Sequence, residues 1–226
     1  MRFLLCLLVL LPALRQVEYA EFAINSSPRE ILTRYQNANF IQQVDAGPHG
    51  LAARTRSLNF LELDLTYRVH LNAAAEMDAQ VRDLARQFLE SSITLKQYLT
   101  RIRDYINANV RYSQSKADQS PAAVLARQSA DCVGMTRLVS AWLNAVGVAH
   151  RMVSGFYFRR AEGGGWEPQP HRWLEIRLPD GIAFFFDPQY RIFSPRYLVV
   201  RPGVDFRRVR RFKVMRMSLQ TKLENG

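Results

Sequence analysis

The chain has 226 residues, 48% of them hydrophobic and 23% charged, with 31 Lys plus Arg against 20 Asp plus Glu and two cysteines. That length suits one ordinary domain, or one with a small extension, and the composition excludes disorder, collagen-like repeats and a disulfide-stapled miniprotein. Two cysteines among four scattered histidines form no cluster with zinc or iron–sulfur spacing, so no metal or other cofactor is expected.

Met1-Arg2 is a short positive start, and Phe3 to Leu14 is an apolar run that contains Cys6. At about twelve residues the run is short for a membrane span and fits the core of an export signal, with a retained signal-anchor as the alternative. Ala20 or Ala23 would precede the cut, although Glu18 and Glu21 stand where such a cut prefers a small residue. Cys6 reads as apolar filler. A secreted or periplasmic protein is expected, and removal of residues 1–20 leaves a net charge of +10 and one cysteine, Cys132. In an oxidising compartment an unpaired thiol is buried and inert, joined to another chain, or kept for chemistry.

Residues 24–56 are weakly patterned, with turn signals at Asn25-Ser26-Ser27-Pro28 and Gly47-Pro48-His49-Gly50. Leu61 to Leu71 alternates apolar and polar residues and predicts a strand, with His70 on its solvated face. Met77, Val81, Leu84, Phe88 and Leu89 follow helical spacing. A second helix is predicted from Thr94, with Gln97 completing a capping box, and a loop over Ser113 to Ser120. A third runs from Cys132 to Val146, and strands follow at 148–158, around Trp173, and at 182–186. One strand, three helices and then three or more strands predict an α+β fold, helices packed on an antiparallel sheet. The expected division is a signal at 1–20, an N-terminal extension with a β-strand at 21–73, a catalytic domain at 74–200 and a basic extension at 201–226.

Cys132 falls at the start of its helix, just after Asp131, a good N-cap residue. Unpaired N–H groups and the helix dipole favour negative charge on the sulfur there, and the same groups are candidates to hold an oxyanion. Asp131 opposes this unless its carboxylate turns into the cap. On the predicted hairpin His171, Trp173 and Glu175 share one face. The three-residue loop Pro179-Asp180-Gly181, with Gly in the left-handed position, pairs Leu178 with Ile182 and so sets Trp173 opposite Asp187. Asp187 is then diagonal to His171, within side-chain reach, and suited to orient the imidazole. Each residue taken singly has a structural explanation; a lone thiol, a histidine and an aspartate so disposed favour nucleophilic catalysis.

These residues carry a resemblance. Tyr105-Ile-Asn-Ala-Asn-Val-Arg-Tyr112, Ser129-Ala-Asp-Cys132-Val-Gly134, the Leu143 to Gly155 stretch, His171-Arg-Trp173-Leu-Glu175 and Phe186-Asp187-Pro188 resemble, in order and spacing, the transglutaminase-like superfamily of papain-type thiol enzymes. The resemblance covers about 85 residues closely. It implies a papain/transglutaminase-like core with Cys132 as nucleophile, His171 as base and Asp187 as orienter, and structural roles for Gly155, Trp173 and Glu175. Two departures stand out: Ala130 where many members have glycine, and Arg172 in place of a small residue after the histidine. The side chain that would complete an oxyanion hole is not evident; Gln114 and Gln119 are the loop candidates.

The implied activity is acyl transfer on amide or peptide bonds through a thioester, with hydrolysis of a protein or peptide substrate favoured. Protein-glutamine cross-linking, or an inactive module that binds anionic envelope material, are the alternatives. Residues 201–217 hold seven Arg or Lys and one acid, interleaved with apolar residues. They read as a final strand with a basic face, or as a surface for an anionic membrane or cell-wall polymer; no nucleic acid is expected.

Overall fold

Thr94 accepts from the Gln97 N–H, and the Gln97 side chain accepts from the Thr94 N–H at 3.0 Å, so the predicted capping box opens α2 (Leu95–Asn109). Asp78 caps α1 (Ala79–Glu90) in similar fashion, accepting from the Gln80 N–H at 2.9 Å. α3 (Pro121–Arg127) begins with proline after the N-cap Ser120 and ends in left-handed Gln128. It was not predicted, being two turns long and apolar at nearly every position, so it shows no period. α4 (Cys132–Ala145) follows at once. In this computed structural model the described residues are 14–25, 31–47, 50–72, 77–90, 94–114, 117–190, 194–204 and 213–225. Part of each N-terminal turn signal, at Ser26–Pro28 and Pro48–His49, lies outside them, as do the apolar run up to Pro12 and the basic residues 207–211.

The strands form two principal sheets. The first contains β1 (Leu14–Asn25), β2 (Arg34–Gln36), β3 (Phe40–Gly47), β4 (Gly50–Leu58) and, from the far end of the chain, β11 (Lys213–Asn225), in the order β11-β1-β4-β3-β2. The second contains β7 (His150–Arg160), β8 (Trp166–Arg177), β9 (Ala183–Phe186) and β10 (Tyr197–Val199), in the order β10-β7-β8-β9, all antiparallel. β5 (Arg111–Tyr112) and β6 (Ser129–Ala130) form a small parallel pair beside α4. Helices α1, α2 and α4 pack their apolar faces, with Trp142 and Tyr98 fully buried, against Leu174, Ile176, Phe184 and Phe186 of the second sheet. Phe22 and Ile24 of β1 meet Phe156, Phe158 and Leu198, which joins the two sheets. The fold is thus α+β, with helices on an antiparallel sheet, as the order of elements predicts.

The predicted register holds on the β8–β9 hairpin. Leu174 faces Phe186 and Arg177 faces Ala183, Leu178 donates to the Ile182 carbonyl at 2.8 Å, and Gly181 has φ of 88° in the loop. Gly155 has another reason: a Cβ there would lie 2.0 Å from the Leu198 carbonyl oxygen and 2.6 Å from the Trp173 ring, so only glycine lets β10 close on β7.

Two expectations need correction. Leu61 to Leu71 is not a laddered strand. Phe60–Glu62 is a 3₁₀ turn, and the rest is extended with one isolated bridge, Arg68 to Thr94. Its alternation is partly real: Leu63, Leu65 and Val69 are buried under the helices and Glu62, Asp64, Thr66, Arg68 and His70 are exposed, although Tyr67 and Leu71 on the apolar side are exposed too. An amphipathic extended segment gives period two with or without a neighbour to pair with. The second correction concerns the flanks, which were expected to be extensions and instead share one sheet. Val17, Ala20, Phe22 and Ile24 of β1 are buried between β4 and β11. A cut after Ala20 or Ala23 would therefore remove most of a central strand.

Candidate active site

The start of α4 is organised by Asp131. Its Oδ1 accepts from the N–H groups of Val133 at 2.8 Å and Gly134 at 2.9 Å, so the carboxylate is turned into the cap. Of the first-turn donors this leaves the N–H of Cys132 itself, so the helix start offers an oxyanion fewer groups than expected. Cys132 is half-buried and free. Thr136, one turn on, places its hydroxyl 2.6 Å from the Cys132 carbonyl and 3.1 Å from the Arg172 carbonyl, which ties the helix start to β8 beside His171.

His171 is 5% exposed, and its Nε2–H donates to Asp187 Oδ2 at 2.6 Å. Cys132 lies close enough to the ring to act on it electrostatically. Burial alone pulls the His171 pKa down. The charge and hydrogen bond of Asp187, followed by Cys132, outweigh it and lift the value to about 9. The structure thus brings Cys132, His171 and Asp187 together, at the start of a helix, on one strand of a hairpin and just past the end of the other.

Asp187 is held by more than histidine. Its Oδ1 accepts from the Gln189 N–H at 2.8 Å, and its Oδ2 accepts from the Tyr197 hydroxyl at 2.5 Å. Tyr197 is fully buried; burial, then the Asp187 charge, keep its hydroxyl protonated well above the ordinary tyrosine value. A neutral donor and a backbone N–H together satisfy a buried carboxylate that would otherwise be costly. Tyr157 and Tyr190, stacked at 4.3 Å, and Trp173, stacked on His171 at 5.9 Å, enclose the imidazole. Sequence reasoning assigned none of the three tyrosines. Tyr157 lies two residues beyond Gly155, but Tyr190 and Tyr197 follow the last strand used in the pattern and carry no periodicity.

The other candidates fall into place. Glu175 is buried and accepts from Arg151 and from the Tyr35 hydroxyl, a bridge between β8, β7 and β2 that fits the structural role implied for it. The Gln119 carbonyl oxygen accepts from the Asp131 N–H at 3.4 Å and sits where a side chain on Gly134 would go. An acceptor at that point does not serve an oxyanion. Gln114 is exposed and reaches the Tyr112 hydroxyl at 3.4 Å. His70 is exposed, as expected of a solvated histidine.

Residues 82–188 match the family model of the transglutaminase-like superfamily. Among solved structures the chain is similar to a candidate cysteine protease from Cytophaga hutchinsonii, at 10% identity over 93% of this chain and 90% of that one, with a TM-score of 0.49. It is also similar to the periplasmic domain of TgpA from Pseudomonas aeruginosa bound to ethylmercury, at 13% identity, 80% and 91% coverage and a TM-score of 0.46. A TGase structure aligns at 16% identity, 69% and 46% coverage and a TM-score of 0.37. No curated protein matches the chain. No helix among the described residues is long and apolar enough to cross a membrane. The span that holds Cys132, His171 and Asp187 is therefore a transglutaminase-like superfamily domain, at residues 82–188.

Proposed function

We propose that the protein is a cysteine-dependent acyl-transfer enzyme that hydrolyses amide or peptide bonds. The observation that carries the reading is His171, held by Asp187 through Nε2 and electrostatically coupled to Cys132. His171 first takes the thiol proton and stands as an imidazolium beside the thiolate; Sγ then attacks the carbonyl carbon, and the carbonyl π electrons move onto oxygen. The Cys132 N–H donates to that oxyanion. Collapse breaks the C–N bond, and the proton on His171 passes to the leaving amine. Water then attacks the thioester carbonyl and gives up a proton to His171; collapse breaks the C–S bond, releases the carboxylic acid and restores the thiolate–imidazolium pair. Hydrolysis needs no second binding site, because water reaches a half-exposed sulfur unaided. An amine in the same position would give a cross-link.

Export supports a substrate outside the cytoplasm, and the positive start with its apolar run supports export. Since β1 is central to a sheet, export on this reading leaves residues 14–25 attached, and the intact mass of the mature protein reports it directly.

Iodoacetamide at pH 6 tests the site. Rapid alkylation of Cys132, slowed in His171→Ala, is the expected result; sluggish labelling in both proteins would sink the enzyme reading. Casein digestion with and without added cadaverine then separates the two fates of the thioester. New N-termini indicate hydrolysis, and cadaverine incorporated at glutamine indicates amine transfer.

A further inference from the structure

β10 pairs with Gly155, Phe156 and Tyr157 of β7, and the Val200 N–H still reaches the Ser154 carbonyl at 3.2 Å, so Arg151 to Val153 run on past its end. A cavity of about 570 Å³ opens there, within the usual size range of ligand sites. Three guanidinium groups line it, from three different segments: Arg151 on β7, Arg172 on β8 and Arg201 just after β10. Arg151 is committed to Glu175 and Tyr35. The other two are not. Arg172 donates through Nε to Ser154 Oγ at 3.3 Å, and Arg201 through Nε to the Ile31 carbonyl at 3.4 Å. Neither has a carboxylate partner among the described residues.

Each of these two side chains is therefore steadied through Nε while its terminal nitrogens make no hydrogen bond among the described residues. Those nitrogens form the planar fork that takes a carboxylate in two parallel bonds. Leu32, Met152 and Val199 add an apolar wall, and Met152 is 41% exposed. Cys132, His171 and Asp187 do not line the cavity, but the backbone links it to them. The Ser154–Arg172 rung of the β7–β8 ladder lies next to the Gly155–His171 rung, and Thr136 joins the carbonyls of Arg172 and Cys132. Arg172 is one of the departures from the family pattern, so the feature belongs to this chain and not to the fold.

We propose that this cavity binds an acidic side chain of the peptide substrate, its carboxylate held by Arg172 and Arg201 and its methylene stem against Met152 and Val199. The source of the carboxylate rests on the peptide-hydrolase reading above; the binding does not depend on catalysis. The test is calorimetric titration of full-length Cys132→Ala with a hexapeptide carrying two adjacent glutamates, and with the same peptide carrying glutamines. The glutamate peptide binds, and the glutamine peptide binds about tenfold more weakly or not at all, as expected for loss of a charge-assisted hydrogen-bonded pair. Arg172→Met and Arg201→Met each weaken the glutamate peptide about tenfold. Arg86→Met, exposed on α1 and outside the cavity, leaves it unchanged.

Equal binding of the two peptides, or equal losses in all three arginine variants, would overturn the assignment in favour of general attraction to a basic surface. Inorganic phosphate that binds as tightly as the peptide would overturn it in favour of a free anion. Arg201 is exposed, so Arg201→Met keeps the test decisive if Arg172→Met does not fold. Because Cys132→Ala cannot turn over, failure to bind refutes the cavity alone, whereas failure of thiol labelling refutes the triad alone.

Discussion

The hairpin sheet β7–β8–β9 and the terminal sheet around β1 are both antiparallel, yet they are closed in different ways. The hairpin sheet is local. Loops of a few residues fix its register, and the candidate catalytic residues Cys132 to Asp187 lie within one continuous stretch. The terminal sheet is non-local: Leu14 pairs with Asn225, across nearly the whole chain. The first region places a histidine, an aspartate and a tyrosine to within hydrogen-bond distances, and the second supplies a wall on which the first is packed. Chemistry sits on the part whose geometry is locally determined, and stability is shared with the part that only the complete chain can form.

The largest expected effect breaks the terminal sheet. Phe22→Asp buries a charge between Phe158 and the β1 core and should cost roughly 4 kcal/mol or more, a large share of a marginal total. Loss of the cooperative unfolding transition, read by circular dichroism, checks it. Cys132→Ala should do the reverse, removing roughly 10³-fold or more of the activity with little change in melting temperature. A variant that melted early would show that Cys132 is a packing residue.

Asp187→Asn separates the two roles within one residue. It should lower activity roughly 10²- to 10⁴-fold while keeping the shape of the site. It should also move the alkaline limb of kcat/KM, which in the parent falls as pH rises through about 9 with loss of the His171 proton, to lower pH. The same proton has a stability signature. Since the folded pKa of about 9 exceeds the ordinary 6.5, this contribution is fully present below pH 6.5 and is lost as pH rises through 9. Thermal melts of the parent should show that decline, and melts of His171→Asn should not.

Tyr197→Phe gives the smallest effect, about 2 kcal/mol of stability and roughly tenfold in activity, because Asp187 keeps its bonds to His171 and the Gln189 N–H. No change in either measurement would mean that the Tyr197 hydroxyl does not position the carboxylate.

Much of the local region was legible because it obeys short-range rules. Asp131 and Thr94 announce helix starts by capping chemistry, and Pro179-Asp180-Gly181 sets a register that carries Asp187 to the rung opposite Trp173. Leu61 to Leu71 misled because alternation reports a buried side and an exposed side, and says nothing of a hydrogen-bonded neighbour. β3 and β4 were missed for the opposite reason. Arg54 and Arg56 interrupt β4, and the buried Gln42, Thr55 and Ser57 look solvent-facing until their partners are known. Gln42 bonds the Leu32 and Val199 carbonyls and Thr55 bonds the Pro195 carbonyl, and Val199 and Pro195 are far away in the chain.

By itself the sequence determined the α+β class, the starts of α2 and α4 and the hairpin register, and it named three candidate catalytic residues, because capping, turn chemistry and side-chain period act over a few residues. Only the tertiary structure decided that the two ends of the chain share one sheet, that Tyr197 and the Gln189 N–H hold Asp187, and that Arg172 and Arg201 meet at one cavity. The strand pairing of the two ends and the meeting of the two arginines join residues far apart in the chain, and the bonds to Asp187, though closer in sequence, depend on how a loop and a short strand fold back; none of these leaves a period in the sequence.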